Sequence, residues 1–152
     1  MNRKMDAQVT SDLLKRLTDL DVETRARDAE DLGDLLEYGE RSEAEVRKTA
    51  DALIEAACGE TDPGVREALL NSLAILGSRF IGVNAAWDRL APLLGTLDPS
   101  SLENALSALG FSRNPTFVDV LGTYRTDPNP TIRTAAENAL RELNGGTTVR
   151  KD

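Results

Sequence analysis

The stretch Thr61–Gly77 alternates apolar and polar residues with the period of an α-helix. Its apolar positions recur at spacings of four, four and three residues and are Val65, Leu69, Leu73 and Leu76. Asp62 and Pro63 come directly before this pattern and indicate a helix start, because an aspartate side chain accepts hydrogen bonds from free N–H groups and proline suits the first turn. We expect the helix to end at Gly77, since glycine readily adopts the left-handed conformation that closes many helices.

The same periodicity elsewhere predicts seven further helices and no β-strand. The eight expected helices cover residues 11–17, 21–38, 42–58, 63–77, 84–94, 100–109, 114–124 and 129–143. Two of them open with the capping-box pattern, in which Ser42 or Ser100 is followed three residues later by a glutamate. Pro92 should kink or shorten the fifth helix.

Eight helices in four pairs predict an all-α fold, a right-handed α-solenoid of four stacked helical hairpins. We expect a single domain over residues 1–152, with hairpins at 11–39, 42–77, 84–110 and 114–143 and a flexible tail at 144–152. The second helices overlay at steps of 33 and 34 residues, from Arg66 to Pro99 to Arg133.

The shared pattern has Asp-Pro, then Val-Arg or Ile-Arg, then a Leu-x-x-Leu step, as in DPGVREALLNSLAILG and DPNPTIRTAAENALREL. It resembles the HEAT-like repeat family over nearly the whole chain, strongly in the second and fourth hairpins and weakly in the first. The resemblance implies a scaffold or binding module in which the second helix of each hairpin lines the concave side. It also allows a minority class of enzymes, the bilin lyases and DNA glycosylases.

The register of the first hairpin is ambiguous. One overlay matches Arg25 with the later repeats but places Asp28 and Asp31 toward the core. We favour the other rotation, with Ala29 and Leu36 inward. On that rotation the outward residues of this helix are Arg27, Asp31, Asp34 and Tyr38. They form either a docking face for a basic partner or a face that only promotes solubility.

The later second helices offer a second group of candidate binding residues, opposite their apolar stripe. These are Glu67, Leu70 and Asn71, then Glu103 and Asn104, then Glu137, Asn138 and Arg141. One column is asparagine in all three helices and could present amide donors and acceptors to the backbone of a partner. The alternative is a neutral stripe that faces solvent.

Composition narrows the class of function. Residues 1–60 contain 16 acidic and 9 basic residues, and the whole chain has a net charge of −8. Nucleic-acid binding requires the opposite sign, so we expect no nucleic-acid partner and instead a basic protein. The chain contains no histidine, no metal-ligand spacing and no glycine-rich phosphate loop. We therefore expect no metal, cofactor, small-molecule substrate or catalytic residue.

The sequence contains one cysteine, Cys58, and no long apolar run, which favours a cytoplasmic protein without a membrane partner. Taken together, these features predict a non-catalytic protein–protein interaction module. The most specific form of this prediction is a small acidic inhibitor or immunity-type protein that blocks a basic toxin or nuclease through its concave face. An adaptor or scaffold subunit of a larger complex is the alternative, and a HEAT-like enzyme is the third possibility.

Overall fold

A computed structural model describes residues 3–145, and these form an all-α solenoid of stacked helical hairpins without a strand in that range. The helices are α1 (Arg3–Arg16), α2 (Val22–Leu36), α3 (Glu43–Gly59), α4 (Pro63–Arg79), the 3₁₀ helix η1 (Trp87–Thr96), α5 (Pro99–Phe111), the continuous segment η2 (Pro115–Phe117), α6 (Val118–Gly122) and η3 (Thr123–Thr126), and α7 (Pro130–Leu143). The expected tail lies outside the described residues, apart from Asn144 and Gly145.

The helices form two layers. The second helices of the hairpins pack side by side in chain order, α2 against α4, α4 against α5 and α5 against α7. The first helices pack behind them, α1 on α2, α3 on α4, η1 on α5 and α6 on α7. This arrangement confirms the predicted order of four hairpins. We call the layer formed by α2, α4, α5 and α7 the second-helix layer.

Most of the predicted helix starts are confirmed. Asp62, Asn114 and Asn129 each accept a hydrogen bond from a backbone N–H two or three residues later, and Ser42 forms a complete capping box with Glu45. The second predicted capping box is wrong, because the side chain of Asp98 caps α5 instead. The first helix begins at Arg3 rather than near residue 11.

The fifth helix is 3₁₀ rather than α, with Pro92 inside it. Proline has no N–H group and its ring crowds the preceding turn, which disfavours a regular α-helix there. Trp87 is buried, and its Nε1–H donates to the carbonyl oxygen of Val83 at 2.9 Å. The indole therefore belongs to the core.

Gly77 does not end α4, contrary to the prediction, and Gly110 likewise lies inside α5. Both are buried within α4 and α5, which end at Arg79 and Phe111. A Cβ on Gly110 would lie 2.7 Å from the Cα of Ala139, and one on Gly77 would lie 3.1 Å from the Cβ of Phe111. Gly110 is therefore needed for the close approach of α5 and α7, whereas a side chain at Gly77 would require Phe111 to shift slightly.

A repeated arginine stabilises the turn that precedes three of the second helices. Each arginine donates a hydrogen bond to the carbonyl oxygen six residues earlier: Arg25 to Asp19 at 2.7 Å, Arg66 to Glu60 at 2.7 Å and Arg133 to Asp127 at 2.8 Å. Neither Arg66 nor Arg133 forms an ion pair with another side chain in the range 7–145. The shared spacing serves the hairpin turn, whose carbonyl oxygens need donors.

Candidate protein-binding surface

Among residues 3–145, the second-helix layer is covered by the first helices on one side only, so its opposite side forms a continuous surface. Asn71, Asn104 and Asn138 lie at equivalent positions on the adjacent helices α4, α5 and α7. Asn71 and Asn138 are exposed and Asn104 is half-buried. No hydrogen bond joins the three amides to one another in the part of the chain that the structure describes. The structure thus places the predicted asparagine column on three neighbouring helices.

One predicted residue of this surface is wrongly placed. Leu70 was expected to face outward, but it is fully buried. Leu70 lies two helical turns before Gly77 and so points toward the same neighbour, α5. The second helix of an internal hairpin has a neighbouring helix on each side, so it buries both flanks as well as its inner stripe. Fewer of its residues can therefore face the solvent.

The remaining predicted residues of the later repeats are exposed. They are Glu67, Glu103, Glu137 and Arg141. The Arg141 guanidinium donates a hydrogen bond to Oδ1 of Asn138 one turn earlier. That contact leaves the amide N–H groups of Asn138 available as donors, while the Asn71 side chain forms no hydrogen bond with another described residue.

The preferred rotation of the first hairpin is confirmed. Ala29 and Leu36 are fully buried, while Arg27, Asp31, Asp34 and Tyr38 are all exposed, the tyrosine by 71%. Neither Asp31 nor Asp34 forms an ion pair with another side chain in the range 7–145. These two carboxylates therefore place exposed negative charge at the α2 end of the layer.

Asp28 shows that the rejected register was partly right. Its side chain is only 2% exposed, yet it is ionically paired, since Nε of Arg16 lies 2.8 Å from its Oδ2. Sequence reasoning missed this pair because Arg16 belongs to α1 and becomes adjacent only when the hairpin closes. The contact between the layers therefore includes an ion pair beside the apolar core.

A groove between α1 and α2 adjoins the two exposed carboxylates. It has a volume of about 520 Å³ and is lined by Val9, Leu13, Asp31, Asp34, Leu35, Tyr38 and Gly39. Its floor is apolar and its rim carries the carboxylates. The sequence missed the contribution of Val9 because the first helix was expected to begin only at Ser11.

A second ionic pair joins the first two repeats. Nε and Nη2 of Arg25 donate to the two carboxylate oxygens of Glu60 at 3.0 and 3.1 Å, and the backbone N–H of Asp62 donates to the same carboxylate at 3.0 Å. Burial raises the pKa of Glu60, but these hydrogen bonds outweigh it, so its pKa lies below the ordinary value. Glu60 is therefore ionised at neutral pH and has a structural role.

Residues 3–145 contain neither a candidate metal site nor a candidate membrane-spanning helix. In this range no group of three or more histidine, cysteine, aspartate or glutamate side chains is arranged to hold a metal ion. No helix in the same range combines the length and the apolar character needed to cross a membrane.

Comparison with known proteins supports the fold alone. The crystal structure of an engineered protein from a structural genomics consortium has a TM-score of 0.64 and 21% sequence identity, covering 96% of this chain and 64% of that one. Human deoxyhypusine hydroxylase in complex with glycerol has a TM-score of 0.61 and 19% identity, covering 97% of this chain and 49% of that one. No protein-family profile and no curated protein matches the chain. The chain thus resembles helical repeat-like folds and spans about half to two thirds of their length.

Proposed function

We propose that this chain is a HEAT-like, non-catalytic protein-binding module. It acts in the cytoplasm as a small inhibitor or immunity-type protein that binds a basic partner across the second-helix layer. The observation that carries this proposal is the pair of exposed carboxylates, Asp31 and Asp34, at one end of a layer that also presents the asparagine column.

The sign of the charge supports a basic partner. The net charge is −8, and residues 1–60 contribute −7 of it through 16 acidic and 9 basic residues. Of the acids in the first hairpin, Asp28 is neutralised by Arg16, whereas Asp31 and Asp34 are exposed. A net negative field of this kind raises the association rate of a cationic partner and repels an anionic one.

The asparagine column supports binding by hydrogen bonds at the centre of the layer. Amide side chains donate and accept, so Asn71 and Asn104 can satisfy both N–H and C=O groups of a partner. Such contacts fix the position of the partner on the layer more than they add to affinity, because each one replaces hydrogen bonds to water. The negative charge near α2 would thus accelerate association of the partner, and the amides near the middle of the layer would make the specific contacts.

The layer is close in size to one side of a typical specific interface. A helix of fifteen residues such as α2 is about 22 Å long, and four helices at about 9 Å spacing span about 30 Å. The surface therefore approaches the roughly 800 Å² per partner of a typical specific interface.

The identity of the partner tests this proposal. We would capture proteins from the native cell with the wild-type chain and with an Asp31→Lys/Asp34→Lys variant, and identify those that only the wild type retains. A single cationic toxin or nuclease whose activity falls on binding supports the inhibitor function. Stoichiometric recovery of a multi-subunit assembly would favour the adaptor or scaffold function instead. Turnover of a small molecule by the purified chain would contradict both.

A further inference from the structure

The groove between α1 and α2 occupies the end of the solenoid where another hairpin would stack. The Cβ position of Gly33 lies 2.7 Å from Oγ of Ser72, so this flank of α2 faces α4. At about 100° per residue, Asp31 lies about 160° around α2 from Gly33, and Tyr38 follows the end of the helix and lines the same groove as Asp31. They therefore line the opposite flank, which no second helix covers among the described residues.

The chemistry of this flank differs from that of the corresponding flank of α4. There, Ser72 and Ile75 pack against α2, with Cδ1 of Ile75 3.4 Å from the Cβ position of Gly33. The arginines of the hairpin turns align α2 with α4 at a step of 41 residues, which puts Asp31 and Asp34 at these two positions. An apolar helix on this flank would bury unpaired carboxylates, which is unfavourable, whereas a basic helix would pair with them.

The floor of the groove remains apolar. Val9, Leu35 and Tyr38 are all partly or largely exposed, and Val9 and Tyr38 are 42% and 71% exposed. Leu13 lies beneath them and is buried. The volume of about 520 Å³ suits a few large side chains of an amphipathic helix rather than an extended surface.

We propose that this groove receives an amphipathic helix of the partner protein, with apolar side chains on Val9, Leu35 and Tyr38 and Lys or Arg side chains beside Asp31 and Asp34. This inference rests on the proposed function and identifies the part of the basic partner that the chain recognises. The partner helix packs on the free flank of α2 in the way that α2 packs on α4, and so adds one helix to the second-helix layer. Long basic side chains suit the site because their aliphatic stems cover apolar surface while their charged ends reach the rim.

A display library of helical peptides of about 18 residues tests the inference whichever basic protein the partner is. We would select the library against the wild-type chain and measure the affinities of enriched peptides by fluorescence anisotropy. The enriched sequences should combine Lys or Arg with Leu, Ile or Met at spacings of three and four residues. The Val9→Ser/Tyr38→Ser variant should bind them at least about tenfold more weakly.

Two further variants separate specific docking from general attraction to an acidic protein. Asp31→Asn/Asp34→Asn should weaken peptide binding at least as much as the apolar variant, and the loss should be greatest at low salt. Asp88→Asn/Asp119→Asn removes two exposed carboxylates from the first-helix layer and should leave the affinity unchanged. All six substitutions fall on exposed positions, and unchanged circular dichroism and melting temperature would verify the fold.

The possible outcomes distinguish this inference from the proposed function. Enriched peptides that lack basic residues, or that bind the Val9→Ser/Tyr38→Ser variant with undiminished affinity, would overturn the groove assignment. If Asn71→Ala/Asn104→Ala removes their binding instead, the second-helix layer remains the binding surface and only the groove assignment fails. If sedimentation shows wild-type dimers that the Val9→Ser/Tyr38→Ser substitutions dissociate, the occupant is a second copy and the partner-helix inference is wrong. If the groove binds basic helices but the native partner is acidic, the proposed function alone fails.

Discussion

At the scale of the residue, Gly110 marks the closest approach of α5 and α7. Its Cβ position lies 2.7 Å from the Cα and 2.8 Å from the carbonyl oxygen of Ala139, both backbone atoms that cannot rotate away. Gly110→Ala should therefore force the helices apart and lower the free energy of unfolding by about 1–3 kcal/mol. Urea denaturation followed by circular dichroism measures the difference.

Gly122 is the matched control for that substitution. It lies at the end of α6 with φ −60° and ψ −30°, and no atom lies within 4 Å of its Cβ position. Gly122→Ala should leave stability unchanged or raise it by up to about 1 kcal/mol, because alanine favours the helix. Equal destabilisation by both substitutions would show that helix contact is not the reason for Gly110.

The pair of Arg25 and Glu60 makes stability depend on pH. The pKa of Glu60 is lower in the folded chain than in the unfolded chain, so its contribution is fully present above the unfolded value, about 4.3. That contribution is lost as pH falls through the folded pKa. Glu60→Gln should thus lower the free energy of unfolding at pH 7, and the difference from wild type should shrink below about pH 4. A difference that is the same at pH 7 and pH 3.5 in urea titrations would contradict this role.

Sequence patterns predicted the inner stripe of each helix more reliably than its flanks. Val65, Leu69 and Leu73 follow the helical period and are buried as expected. Leu70 and Gly77 face α5, and their positions depend on which helix becomes a neighbour. A single-helix period contains no information about that neighbour, so a flank leucine was mistaken for a surface residue and a packing glycine for a helix end.

At the scale of the element, the asparagine column should control how long the partner stays bound. Asn71→Ala together with Asn104→Ala removes amide contacts at the middle of the layer and should raise the dissociation rate constant several-fold, with little dependence on salt. Surface plasmon resonance with the captured partner measures this rate constant.

Asn84 provides the control for the amide substitutions. It is exposed in the connection between α4 and η1, away from the second-helix layer. Asn84→Ala should leave the dissociation rate constant at the wild-type value. If Asn71→Ala/Asn104→Ala behaves like this control, the column is a stripe that faces solvent.

The helices themselves were largely predictable because caps and apolar spacing act within one element. Asp62, Ser42 and Asn129 begin their helices as expected. The sequence did not reveal that residues 3–10 continue α1, since few of them are apolar and the helical stripe begins only near Leu13. The α1–α2 groove was missed for the same reason, although two of the residues that line it, Asp31 and Tyr38, were identified.

At the scale of the whole molecule, the negative charge is concentrated in the first part of the solenoid. Residues 1–60 have a net charge of −7 and residues 61–152 a net charge of −1. A basic partner should therefore approach with its most positive region toward α2, while the middle of the layer fixes its final position. This polarity was predictable from composition, but the distinction between the paired Asp28 and the exposed Asp31 and Asp34 required the structure.

The association rate constant of the basic partner tests electrostatic docking most directly. We would measure it by stopped-flow fluorescence for the wild-type chain and the Asp31→Lys/Asp34→Lys variant, at low salt and at 1 M salt. The charge reversal should slow association about tenfold at low salt. The difference should shrink at 1 M salt, where the Debye length is about 3 Å. Equal association rate constants for the two chains at low salt would contradict electrostatic docking at the first end of the second-helix layer.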